Sequence, residues 1–135
     1  MILDLEETFI VGQETFFDSG SPSTSFGVTF EDDLTTGYFY AVDTNTDLEI
    51  LDALHIYDVA NIVDKDKPCK IQIAWTDDGQ IASLLINDYC HAIFDFEKRG
   101  GYCRNGFPET RRAWAQIKER KLTDELIVDI FKAKT

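Results

Sequence analysis

At 135 residues, 44% of them hydrophobic and ten of them phenylalanine, the chain has the length and apolar content for one ordinary domain rather than a disordered chain, despite a net charge of -12. No apolar run approaches the roughly 18 residues of a membrane span, and the N-terminus MILDLEETFI carries acids where a secretory leader carries bases. A cytoplasmic protein without membrane contact is expected. Three cysteines, Cys69, Cys90 and Cys103, lack CxxC or other metal spacing, which favours reduced packing thiols over a disulfide framework or a metal centre.

The first half reads as strands. ETFIV and ETFF are short β-prone runs, and DSGSPSTS between Phe17 and Phe26 has the composition of a loop. TSFGVTF alternates Phe26, Val28 and Phe30 with small or polar residues, and TGYFYAV follows across the acidic segment EDDLTTG, a hairpin loop by its content. Thr46-Asp47-Leu48-Glu49 matches a helix capping box, which predicts a short helix over about 46–54 before LHIYDV resumes as a strand. DKDKP marks a turn. CKIQIAWT, QIASLLI and YCHAIFDF then form a meander whose turns are DDG and Asn87-Asp88.

Strict alternation through that meander puts Ile71, Ile73, Trp75, Ala82, Leu84, Ile86, Tyr89, His91 and Ile93 on one face. The other face collects Ala74, Ile81, Ser83, Leu85, Cys90, Ala92, Phe94 and Phe96. Both faces are largely apolar, so both should be covered. Helical cover is expected from Glu109 to Lys121, with Ala113, Trp114 and Ile117 on one stripe. A final helix should follow the cap Thr123, with Leu126, Ile127, Ile130 and Phe131 as its stripe. The expected fold is a single α+β domain over 1–135: a mostly antiparallel sheet region at about 5–97 and a helical segment at about 108–134. The sheet is a meander of about six to seven strands, open to a sandwich-like arrangement.

The densest chemistry lies in NDYCHAIFDF. Adjacent strand residues point to opposite faces, so Cys90 and His91 make no thiolate-imidazole pair in regular geometry. His91 and Asp95 lie about 13 Å apart along a strand, too far for an acid-base couple. A packed neutral His91 is the plainer reading, and a ligand-facing one needs partners from elsewhere. His55, near Asp52 and Asp58, needs no function in an acidic chain. Ser19, Ser21, Ser23 and Ser25 lack a nucleophile motif, and Glu31, Asp32 and Asp33 lack EF-hand spacing and read as a solvated hairpin tip. Arg104, Arg111 and Arg112 could hold an anion or pair with the acidic body. No cofactor or metal is indicated.

Several stretches, FFDSGSPSTSFGV, FEDDLTTGYFYA, ILDALHIYDV and LLINDYCHAIFDFEKRGGYCRNGFP, resemble a family of small bacterial proteins known as domain of unknown function 2251. The likeness runs from about Phe9 to Pro108. It implies a bacterial, cytoplasmic protein and brings no reaction or catalytic residues.

Charge is the remaining functional signal. Met1 to Glu97 holds 20 acids against three bases, and Lys98 to Thr135 holds ten bases and five acids. Such a body disfavours direct nucleic-acid binding and suits a protein partner with a basic surface, most concretely a basic toxin enzyme neutralised by an immunity-type inhibitor. Glu31, Asp32 and Asp33 are its candidate contacts. The alternative is a small-ligand or enzymatic pocket between the meander and the C-terminal helices, with Tyr38, Tyr40, Tyr89, His91, Tyr102 and Arg104 as polar groups. An interaction or scaffold protein of unspecified partner is the third reading, and a homodimer through an uncovered strand edge is compatible with all three.

Overall fold

Alternating apolar and polar residues build strands along most of the chain. The computed structural model describes residues 1–47, 49–110 and 112–134. In chain order they form β1 (Ile2–Phe9), β2 (Thr15–Gly20), β3 (Phe26–Asp32), β4 (Thr36–Asp43), β5 (Glu49–Asp58), β6 (Cys69–Trp75), β7 (Ile81–Ile86), β8 (Tyr89–Asp95), β9 (Gly100–Cys103) and α1 (Asp124–Lys132). Two antiparallel sheets result, one ordered β1-β6-β7-β8-β9 and the other β2-β3-β4-β5. The fold is therefore β-rich and two-layered, with one α-helix among the described residues where three helices were expected, and with two sheets where one sheet, open to a sandwich-like arrangement, was expected.

The meander keeps its predicted turns. Asn87 and Asp88 take φ of 51° and 68°, the left-handed values of a tight two-residue hairpin. Its β6-β7 register also pairs Trp75 with Ala82 and Ile71 with Ile86, as alternation predicts. Alternation then fails at one residue. Leu85 pairs with Cys90 and Leu84 with Ala92, so His91 is the extra residue of a β-bulge. Beyond it the faces exchange: Ala92, Phe94 and Phe96 join Ile71, Ile73 and Trp75 in the inner core, and Ile93 joins Ile81 on the outer side.

The inner faces of the two sheets form the main core, with Val28, Phe30, Phe39 and Leu54 opposite Ile71, Ile73, Leu84 and Phe94. Phe39 stacks on Phe94 at 5.3 Å and Phe26 on Phe96 at 4.8 Å between ring centroids. Each fully buried side chain of this kind stabilises by about 1.5 to 3 kcal/mol. At one side of the sandwich Trp75 Nε1 donates to Ser19 Oγ at 2.9 Å, and Ser19 donates to Asp4 at 2.6 Å. Asp18 to Gly20, expected in a loop, thus complete β2.

The other side is closed by the chain after β9. Cys103 donates its amide to Arg120 O at 2.9 Å, Leu122 donates to Cys103 O at 2.8 Å, and His55 donates to Phe107 O at 2.8 Å. Arg120 reaches across and clamps Asp52 on β5 with two bonds, 2.6 and 2.9 Å, while donating to Ala53 O at 2.8 Å. Gly101 on β9 allows this closeness, since a Cβ there would meet the Phe94 ring at 2.7 Å and Asp52 Oδ2 at 3.0 Å.

Two expected helices are corrected by this closure. Of the segment expected as a helix at 46–54, Glu49 onward belongs to β5 and pairs with β4, because Leu51, Asp52 and Leu54 are needed inside. Thr46 donates to Asp43 O at the end of a 3-10 turn instead of capping a helix, and Leu48 of the box lies outside the described residues. The described residues of 109–121 form a strap of turn and irregular backbone rather than a helix. Its Trp114 joins the inner cluster and its Ile117 the outer one, which one helical stripe cannot do.

The last helix forms as predicted. Thr123 Oγ1 accepts from the amide of Leu126 at 3.1 Å, and Leu126, Ile127, Ile130 and Phe131 pack on Ile81, Ile93, Tyr102 and Leu122. Both faces of the meander are thereby covered, one by the second sheet and one by α1. Beyond its end, Lys134 Nζ bonds Asp78 at 2.8 Å and Glu97 at 2.9 Å, and its hydrogen bond, with that of Thr76, pulls the Asp78 carboxyl down to about 2. Phe131→Ala should lower stability by about 2 kcal/mol in urea unfolding, since the side chain is only partly enclosed, whereas Val128→Ala on the exposed side of α1 should leave the midpoint unchanged.

Candidate functional site

Phe16 and Phe17 are adjacent in β2, so one must face out. Phe17 packs against the core, and Phe16 is left 61% exposed on the outer face of the four-stranded sheet. Strand register then sets two rows across that face. Phe16 pairs with Glu31, Glu31 with Tyr38 and Tyr38 with His55; beside them Asp18 pairs with Thr29, Thr29 with Tyr40 and Tyr40 with Ala53. Tyr38 and Tyr40 stack at 5.8 Å between centroids.

A shallow groove of about 230 Å³ lies between Phe16, Asp18, Glu31, Tyr40 and Ile50. Burial first, then the charge of Glu31, raises the Tyr40 hydroxyl above its ordinary value, so it stays a donor at neutral pH. Burial and Asp58 do the same for Tyr38. His55 closes the row. Asn105 Oδ1 accepts from the Phe107 amide and the Cys103 thiol, which turns its Nδ2 toward His55 Nδ1 at 2.7 Å. That contact makes Nδ1 the acceptor and leaves Nε2 to donate to Asp58 at 3.0 Å.

The three acids expected together at a hairpin tip are separated. Only Glu31 lies on the open face. Asp32 is wholly buried, accepting from Gly12 N at 2.8 Å, Leu34 N at 2.9 Å and the Tyr57 hydroxyl at 2.6 Å. Its carboxylate, after burial itself, drives the Tyr57 hydroxyl far above its ordinary value. Asp33 accepts from Thr35 N at 3.0 Å and Thr36 N at 2.8 Å, which lowers its own carboxyl and shapes the turn.

The aromatic set expected in one pocket is likewise divided. Tyr102 is buried in the outer cluster beneath α1. Arg104 lies 4.3 Å over the Tyr89 ring, donates to Cys90 O at 2.9 Å and pairs with Asp124 at 2.9 Å, anchoring the start of α1. Arg112 donates to Ile50 O at 3.1 Å, and Arg111 lies outside the described residues. Asp95 caps the amide of Lys98 at 3.0 Å.

His91 borders a different space from the one expected. Its cleft, about 480 Å³, opens at the end of the sandwich between the sheets, walled by Val11, Ile56, Ile62, Cys69 and Ile86. Cys90 instead packs with the outer cluster. Burial, then the nearby Arg104 charge, pulls the His91 imidazole down to about 4. Cys90 is pushed up to about 11 by burial and Cys103 is raised by the same cause, so neither is a ready thiolate. No group of three or more His, Cys, Asp or Glu among the described residues is arranged to hold a metal.

These features define a small antiparallel β-sandwich with a helix over one face and an open acidic, aromatic face on the other. The chain belongs to the bacterial family described as an uncharacterized protein conserved in bacteria, domain of unknown function 2251, whose model matches residues 9–131. The match continues past Pro108, where the resemblance read from the sequence ends, through the strap and α1. The chain is 41% identical over 111 residues to an uncharacterized protein of Haemophilus influenzae, covering 79% of this chain and 68% of that protein. No solved structure matches it. No helix among the described residues is long and apolar enough to cross a membrane.

Sequence reading missed Ile50 because the start of β5 was expected as a helix, and missed the cleft wall because its residues come from separate strands and loops. For the exposed face of β2, the Phe16-Phe17 pair was the available signal. The His91 environment also predicts a pH effect. Its pKa is lower folded than unfolded, so the unfolded chain takes up a proton first as pH falls. Stability should therefore be unaffected above about pH 6.5 and fall by roughly 3 kcal/mol toward pH 4. Denaturant midpoints across that range should decline less steeply in His91→Leu.

Proposed function

We propose that this protein binds a basic protein partner through the outer face of the four-stranded sheet. An immunity-type inhibitor of a basic toxin enzyme is the most concrete form of that reading. The observation that carries it is the charge and chemistry of the open face. Residues 15–58, which hold all four strands of that sheet, include nine acids and no lysine or arginine. Among them Asp18 and Glu31 flank exposed Phe16 and Ile50 and the Tyr38-Tyr40 stack.

Aromatic side chains supply the large, stiff contact area found at binding hot spots, and flanking carboxylates steer a cationic partner and speed its approach. A polyanion would meet the same carboxylates as repulsion, which disfavours direct nucleic-acid contact. Glu31 is retained from the contacts expected for a basic partner, and Tyr38 and Tyr40, expected in a small-ligand pocket, join it on this face. Asp32 leaves that set as an internal acceptor.

Affinity capture from the native host, read by mass spectrometry and repeated with Glu31→Gln and Tyr40→Ala, tests the proposal. A basic protein should be captured by the parent chain and lost by Tyr40→Ala, a change of about 2 kcal/mol or more for a hot-spot aromatic. Glu31→Gln should slow association at low salt, with the difference shrinking as salt is raised. Capture of the same partner by all three proteins with equal rates would overturn the assignment of this face.

A further inference from the structure

The cleft beside His91 lies at the end of the sandwich, away from the open sheet face, and is independent of the preceding proposal. Its wall is mostly hydrocarbon: Val11, Ile56, Ile62, Val63, Pro68 and Ile86. Its polar groups are largely engaged. Tyr57 donates its hydroxyl to Asp32, Asn87 Oδ1 accepts from the amide of Lys70 at 3.0 Å, and Asp64 and Lys67 face each other at 3.8 Å with both side chains well exposed.

His91 differs from them. It stands at a β-bulge, where an extra residue re-aims a side chain. Its ring touches Tyr89 at 4.9 Å between centroids, and no hydrogen bond within the described residues reaches either ring nitrogen. The ring is partly buried, and its nitrogens are left for water or a ligand to satisfy. With its pKa pulled down to about 4 it is uncharged at neutral pH, so one nitrogen offers a donor and the other an acceptor.

We infer that this cleft is a binding site for a neutral, largely apolar small molecule bearing one hydroxyl or carbonyl group, which His91 hydrogen-bonds. The volume of about 480 Å³ falls within the range of ligand clefts. Neutrality follows from the wall. The one acid and one base lining the cleft, Asp64 and Lys67, offset each other, and no unpaired charge within would hold an ionic head group.

The test is fluorescence titration with N-phenylnaphthylamine, a neutral apolar dye, followed by displacement with decanol, decanoate or decylammonium below their micellar concentrations. Saturable uptake of one dye per chain is expected, with decanol displacing it and the two ions failing to do so. His91→Leu should keep the dye but weaken decanol about three- to tenfold, the worth of one hydrogen bond. Val63→Trp, at an 83% exposed rim position, and Cys69→Phe, in the wall, should each reduce dye uptake while circular dichroism stays unchanged. Absence of saturable uptake, or uptake untouched in both filled variants, would overturn the site. Equal displacement by the ions would overturn the neutral ligand class, and decanol binding unchanged in His91→Leu would remove the histidine from it.

Discussion

The ion pair between Arg120 and Asp52 governs how the rest of the molecule is arranged. Its two side chains are each 2% exposed, and the guanidinium carries a further bond to Ala53 O. The pair sits where the two sheets would otherwise part, between β9 and β5. Two charges taken out of water tolerate little misplacement, because either one left alone costs several kcal/mol. Arg120 Nε lacks a hydrogen-bond partner among the described residues, so the other two nitrogens hold the position. With Arg120 fixed, the chain before it must run as a strap along the sandwich edge, and the chain after it must turn onto the outer face of the meander.

That constraint explains which parts of the fold were legible in the sequence. Hairpins whose turn residues and alternation agree, such as β6-β7 around Asp78-Gly79, were read correctly because every signal in them is local. The final helix was also legible: Thr123 caps it and one stripe serves one surface. The two other helices were expected from signals of the same local kind, a capping box at Thr46 and a stripe through Trp114 and Ile117. A cap is worth about 1 kcal/mol, less than burying Leu51 and Leu54 against the opposite sheet or satisfying Asp52. Trp114 and Ile117 belong to different clusters on either side of the meander, a division invisible without knowing that β9 and β5 adjoin.

The candidate sites show the same division. Acidity was legible, and so was the presence of tyrosines in β4, but their neighbours come from β2, whose end was expected in a loop, and from β5, whose start was expected in a helix. Asp32 looked like its neighbours Glu31 and Asp33, yet strand alternation turns it inward, where two amides and the Tyr57 hydroxyl receive it. His91 was understood as buried and neutral. Its bulge escaped notice because one inserted residue leaves no mark in composition and reverses the face of everything beyond it. The strap and α1 cover one side of the molecule and leave the four-stranded sheet's outer face and the end cleft as the places where binding is proposed.

A double-mutant cycle at the strap tests this account most directly, using urea unfolding of Asp52→Leu, Arg120→Met and the combined protein. Each single change strands a buried charge and should cost about 3 to 5 kcal/mol, whereas the double change should recover much of that loss, because an apolar pair of similar volume leaves no charge unpaired. Single changes that each cost less than about 1 kcal/mol and simply add in the double protein would contradict it. The strap would then be held by its backbone bonds and apolar contacts, and the buried pair would not organise the fold.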